Sequence, residues 1–273
     1  MIPLSPSSPS SYYDMLSHDL ARGTAGLPLL PKGAREALRL AQSPDAGFED
    51  VAKLAEADPP LAARVLAVAN SALYSRGIPV TSVHRALVRL GMQATRDVLY
   101  QAVYAAMLFD APGYSELVAA TFRHGVVTGH VARQIVHKRG GDRDAAYLAG
   151  LLHDVGEARC WKLASKRVRF GQGGEELFRA VDALHARAGA ELAALWKLPE
   201  EVAEACLWHH QPEGRPVALV IAAADKVARR VEPTPRSTDE EILAAINAIA
   251  FDPEEIPALL QLAVTQQQTS GQR

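Results

Sequence analysis

From Leu27 onward, apolar residues recur at three- and four-residue spacing, and prolines and glycines cut the pattern into short lengths. Phe48, Val51, Leu54 and Ala55 make one such stripe behind an acidic first turn. Asp58 is placed to cap the next segment, Pro59 suits a first helical position, and Leu61, Val65, Leu66, Val68 and Ala69 then face inward. A helix entered near Ser82 should stop at Gly91. Arg85, Arg89 and Arg96 would share one basic face only if that helix ran on through Gly91, so they are read as solvated. Two further helical patterns occupy 93–110, and "APG" at 111–113 breaks the chain. No stretch alternates with the period of a strand, and no solenoid repeat occurs. The pattern predicts an all-α protein.

Beyond the break, an amphipathic stretch from Ser115 to His137 ends at a Gly-Gly pair, and "DRDAAYLAGLLHDVG" follows. A basic segment over about 159–174 is expected to be irregular. Three more helices are read in "EELFRAVDALHARAGAELAALWKLP", "EEVAEACLWHHQP" and "RPVALVIAAADKVARRV". The expected organisation is a flexible leader over 1–26, rich in Ser, Pro and Gly, and an N-terminal helical subdomain over 27–112. A second helical subdomain covers 113–231, and a tail over 232–273 holds two weak helices and a polar end.

Bulk properties exclude several classes. A formal net charge of -2 over 273 residues gives no global field for nucleic acid. Two cysteines, Cys160 and Cys206, are too few for a disulfide framework or a four-thiolate zinc site, and fit a reducing cytoplasm. The N-terminus lacks the basic and apolar regions of a signal peptide. The most apolar run is interrupted by Asp225 and Lys226, so no membrane span is expected.

Chemistry concentrates in the second half. In "LAGLLHDVGE", Tyr147, Leu148, Leu151, Leu152 and Val155 share a helical face, with His153 opposite and Asp154 on the flank. Gly156 can end the helix there. Two adjacent side chains at a helix C-terminus can reach one cation, which the negative end of the helix dipole favours. "EACLWHHQP" repeats the arrangement with His209 and His210 before Pro212. Asp225 lies behind eight apolar residues, where an unpartnered carboxylate would be costly. Lys226 and Arg229 are local candidates to face it, but Lys226 points off its face and Arg229 lies one turn on. His124 and His185 sit beside small residues that would let helices approach closely. His18, His84, His130 and His137 have no such context and are read as solvent or packing residues. Imidazole and carboxylate donors without thiolate suit Fe, Mn, Zn or Mg. Ligands spread from 124 to 225 require a helical bundle around the site.

"HDVG" preceded by "LAGLL" resembles the HD superfamily of metal-dependent phosphohydrolases. The stretch from "LPLLPKGAREALRL" to "SVHRALVRLG" resembles the opening of the HDOD family, an HD-related output domain of bacterial signalling proteins, and the resemblance runs over about 27–230. It implies an N-terminal helical bundle followed by an HD-like helical core. It also implies a regulatory role through signalling partners, since most HDOD proteins are regarded as non-catalytic. His124, His153, Asp154 and Asp225 match the first His, HD pair and distal Asp of HD enzymes. His185, His209 and His210 resemble the extra histidines of HD-GYP phosphodiesterases. Two departures count against catalysis: Glu157 stands where a Lys usually meets substrate phosphate, and no Gly-Tyr-Pro motif follows His210. Lys162, Lys166 and Arg167, with Arg169, are the candidates to replace that positive charge.

Three readings follow. The first is a regulatory protein that binds a divalent metal, one ion or a pair, and acts through protein partners. The second is a metal-dependent phosphohydrolase acting on a nucleotide or cyclic nucleotide. In the third no metal is present and the polar side chains bond one another.

Overall fold

The computed structural model describes residues 11–22, 31–75, 77–108 and 110–270. Among them no residue is in a strand, and the chain is all-α as its periodicity predicts. They group into two compact units, one of residues 31–107 and one of residues 11–22 with 108–270.

Helix α1 (Tyr12–Arg22) lies inside the segment expected to be a flexible leader. Leu16 and Leu20, one turn apart, are buried, and the helix packs on helices of the second unit. Apolar spacing within "YYDMLSHDLAR" outweighs the Ser- and Pro-rich composition before it. The rest of that leader, residues 1–10 and 23–26, lies outside the described residues.

The 31–107 unit comprises α2 (Lys32–Gln42), α3 (Phe48–Glu56), α4 (Pro59–Ala69) and α5 (Val83–Leu108). Asp58 caps α4 as expected, its carboxylate accepting the Leu61 N–H at 3.1 Å. Gly91 breaks α5 into two helical halves, with φ 75° and ψ 169°. The arginines around it serve the unit itself. Arg89 donates to the Ile78 carbonyl at 2.7 Å and Arg96 to that of Ser43 at 3.2 Å.

The larger unit contains α6 (Ser115–Arg139), α7 (Arg143–Leu152), α8 (Val155–Ala164), α9 (Gly174–Leu195), α10 (Glu200–Trp208) and α11 (Pro216–Arg230). It is completed by α12 (Asp239–Ala248), a 3-10 turn (Pro253–Glu255) and α13 (Ile256–Ser270). The segment expected to be irregular begins as α8. Its basic residues suggest a loop, but Ala158, Cys160, Trp161 and Ala164 are buried at helical spacing. The expected tail joins the core: Ile242, Ile246, Leu259 and Ala263 pack with Val127, Val131 and Ile135 of α6 and with Ile221 and Val227 of α11. No helix among the described residues is long and apolar enough to cross a membrane.

Candidate metal centre

Glycines bring the site-bearing helices together. A Cβ on Gly125 of α6 would overlap the Leu151 carbonyl of α7, and one on Gly150 of α7 would lie 2.7 Å from the Gly129 Cα. The sequence reads Gly156 as a helix stop, but it is the second residue of α8. A Cβ there would collide with the His185 carbonyl, so its part is to let α8 cross α9 at the histidine. Inside this frame His124 projects from α6, and His153 caps the C-terminus of α7. Asp154 stands before α8, His185 projects from α9, His209 caps α10 with His210 behind it, and Asp225 lies within α11. All seven predicted ligands converge.

They form two donor groups that share one carboxylate. His124, His153, Asp154 and Asp225 make the first, and Asp154, His185, His209 and His210 the second; within each, one donor atom per residue lies within 4.8 Å of the others. Asp154 divides its oxygens between them. Oδ2 is 3.2 Å from His153 Nε2, while Oδ1 is 3.1 Å from His209 Nε2 and 3.6 Å from His185 Nε2. Six of the seven residues are buried, and His210 is exposed at the rim.

Backbone acceptors orient the imidazoles. Nδ1 of His153 faces the Gly150 carbonyl at 2.8 Å, that of His185 faces Asp182 at 2.6 Å, and that of His209 faces Ala205 at 2.9 Å. A proton on each Nδ1 satisfies the carbonyl and leaves an Nε2 lone pair aimed inward, the tautomer a metal ligand needs. Nε2 of His153, Nε2 of His209 and Oδ1 of Asp154 are buried without a hydrogen bond. Such atoms are costly unless something accepts their lone pairs. A divalent cation fits this donor set, with imidazole and carboxylate suiting Fe, Mn or Zn. Cys206 lies nearby, but its thiol donates to the Leu152 carbonyl and burial pushes its pKa up, so it is not a donor.

The same pocket gathers charge that periodicity alone does not reveal. Arg229, one turn after Asp225, reaches back to it, with Nε at 2.7 and 2.9 Å from the two carboxylate oxygens. Its other arm approaches Asp154 Oδ2 at 3.4 Å. The i, i+4 spacing makes Arg229 a local candidate for Asp225, and the turn between them is what the long side chain spans. Glu232, read as the start of the tail, places Oε1 3.0 Å from His124 Nδ1. Burial would lift the Asp225 carboxyl, but His124, His153 and Arg229 hold it well below the usual range. Burial likewise opposes charge on His153, yet the Asp154 and Asp225 carboxylates push it up to about 10, so without a metal its Nε2 keeps a proton that a bound cation would displace. The interior is therefore strongly cation-seeking.

A cleft of about 410 Å³ opens on His124 and Asp154, lined also by Thr121, Glu157, Trp161 and Phe178, with Arg123 and Arg236 as its basic residues. Glu157 accepts the Thr121 hydroxyl at 3.0 Å, and burial together with Asp154 raises its pKa. Lys162, Lys166 and Arg167 are not among the lining residues. Arg167 instead pairs with Asp19 of α1 at 2.7 Å. Arg123 and Arg236 are the cleft cations that the sequence did not single out.

An all-helical core that closes on an adjacent His-Asp pair, further histidines and a distal aspartate defines an HD-type domain. The chain belongs to the HDOD family, whose HDOD domain model matches residues 27–212. It is 25% identical over 230 residues to an uncharacterized protein of Treponema pallidum (strain Nichols), a match covering 78% of this chain and 44% of that one. The chain thus spans less than half the length of that curated relative. Among solved structures, an HDOD domain protein of unknown function from Geobacter sulfurreducens aligns with TM-score 0.67 and 25% identity, covering 94% of this chain and 96% of that one. A protein of Shewanella amazonensis SB2B, provisionally named a metal-dependent phosphohydrolase, aligns with TM-score 0.70 and 21% identity over 95% and 99% of the two chains; at that identity the likeness is one of fold.

Proposed function

We propose that this chain is a regulatory HDOD protein of the bacterial cytoplasm, that its HD-like core holds a divalent metal ion, and that it acts through signalling protein partners. The observation that carries the metal reading is the set of buried, unbonded donor atoms on His153, His209 and Asp154, each imidazole oriented by a backbone carbonyl. The regulatory reading rests on membership of the family and on Glu157 at the cleft wall, where it offers a substrate phosphate an acceptor in place of a cation. Two free cysteines, both buried, are consistent with a reducing compartment.

A hydrolase is the second reading, and the open cleft on His124 and Asp154 favours it. A bound metal would supply an activated water and stabilise charge on a phosphate. Arg123, and Arg236 in its pair with Glu232, would meet the anionic ligand, and the half-exposed ring of Phe178 would give a nucleobase an aromatic contact.

Metal analysis of untagged protein, beside Asp154→Ala and His209→Ala, tests the first reading. Bound Fe, Mn or Zn in the wild type, lost at least tenfold in affinity in both variants, is the expected result. A wild type that remains metal-free after reconstitution would falsify it. Turnover of cyclic nucleotides or of a phosphodiester chromogen by the metal-loaded protein, abolished in Asp154→Ala, would move the assignment to hydrolase.

A further inference from the structure

We infer that Arg229 is the built-in cation of the first donor group, so that the centre takes a single metal ion, at Asp154, His185, His209 and His210. This rests on the metal-binding reading and narrows it. The two donor groups look alike as residue lists, but their surroundings differ. In the first, the Arg229 guanidinium lies along the Asp225 carboxylate, with Nε 2.7 Å from Oδ1 and 2.9 Å from Oδ2. Asp225 Oδ1 is also 2.9 Å from His124 Nε2, so both oxygens already face the guanidinium and one of them an imidazole as well. The second arm of Arg229 faces Asp154 Oδ2 at 3.4 Å, the oxygen turned toward this group.

The second group meets the Arg229 guanidinium through Asp154 Oδ2, the oxygen turned away from it, and its other three members are imidazoles. The Asp154 oxygen turned toward it, Oδ1, is among the unbonded atoms, as is His209 Nε2. His185 Nε2 faces the same space, 3.1 Å from His210 Nε2. Two imidazole nitrogens that close leave at most one proton between them, and a cation bound by both removes the conflict. A guanidinium carries its charge at every accessible pH, and this one spans two carboxylates, with Nε on Asp225 and the other arm toward Asp154. A dication beside it would meet a like charge and would compete with the guanidinium for the Asp225 carboxylate. Arg229 is 13% exposed at its side chain and anchored one turn from Asp225 on α11, so it is held in place.

The test counts metal. Apoprotein made by chelation is reloaded with excess Zn²⁺, desalted and assayed by mass spectrometry, for wild type and Arg229→Gln. One equivalent in the wild type and two in Arg229→Gln is the expected result. Two equivalents in the wild type leave the metal-binding reading intact and overturn this inference, as does a folded Arg229→Gln that still takes one. No metal in either protein overturns both. Because Arg229→Gln leaves two buried carboxylates facing each other, Asp225→Asn is assayed alongside. It removes a donor of the first group only, and retention of one equivalent is expected; its loss would overturn the assignment.

Discussion

Gly156 shows how much of the centre rests on one missing methyl group. A Cβ at this position would overlap the His185 carbonyl and press on the Gly189 N at 2.5 Å, both backbone atoms that cannot swing aside. Gly156→Ala must therefore separate α8 from α9. Its cost is expected to be about 3 kcal/mol or more, at the upper end of overpacking effects. Since α9 carries His185, metal content should fall as well. Gly171→Ala is the contrast: φ is +86° but no atom lies within 4 Å, so only left-handed strain of about 1–2 kcal/mol is expected. Urea denaturation of the two variants checks the order, and equal losses would show that α8 and α9 tolerate separation. The sequence marks Gly156 as special, but a helix stop and a close crossing both ask for glycine. Only the position of His185 in space tells them apart.

At the level of helices, legibility follows the strength of local signals. α4 announces itself through Asp58, Pro59 and an apolar stripe, and α5 through a glycine that takes positive φ. α8 does not, because its second half falls in the basic stretch over about 159–174 that reads as irregular. In the fold Arg159 is 3% exposed and donates to the Ala188 carbonyl at 2.8 Å and to Glu191 at 3.2 Å. α12 looks weak in isolation, yet Thr238 and Glu241 form a capping box at its start. Ile242 and Ile246 then bury its face in the core built by α6 and α11. The helix draws its stability from packing that lies far off in sequence. Ile246→Ala, at 0% exposure, is expected to cost about 2–5 kcal/mol, whereas an unanchored tail would lose well under 1. Chemical denaturation distinguishes the two.

Taken as a whole, the molecule buries more charge than its helical periodicity suggests. The seven candidate ligands were legible because histidines and aspartates on apolar helices are conspicuous. Arg229 was legible only as one local candidate and Glu232 not at all, since an arginine or glutamate near a helix end is ordinarily solvated and only the packed fold decides which carboxylate or imidazole it meets. His130, read as a packing or solvent residue, has a consequence for the whole fold. Its ring stands edge-on to Tyr147 at 5.0 Å, and burial together with the Arg133 guanidinium pushes its pKa down to about 3. The unfolded chain binds a proton at this residue near pH 6.5, but the native state refuses it until about pH 3. The native state's advantage is thus complete above the unfolded value and declines as pH falls, by at most about 1.4 kcal/mol per pH unit. Other groups titrate in the same range. His210, exposed at the rim with its ring only partly desolvated, is lowered to about 4 by that desolvation and by His209 and His185, which adds to the acid loss, while the raised His153 contributes in the opposite sense. The wild type alone therefore cannot isolate His130, but the difference from His130→Phe, which keeps a ring against Tyr147 and removes the titration, can. Between pH 7 and pH 5 the variant should lose about 1–2 kcal/mol less stability than the wild type in urea melts. Parallel losses would mean that His130 takes up its proton in the folded protein.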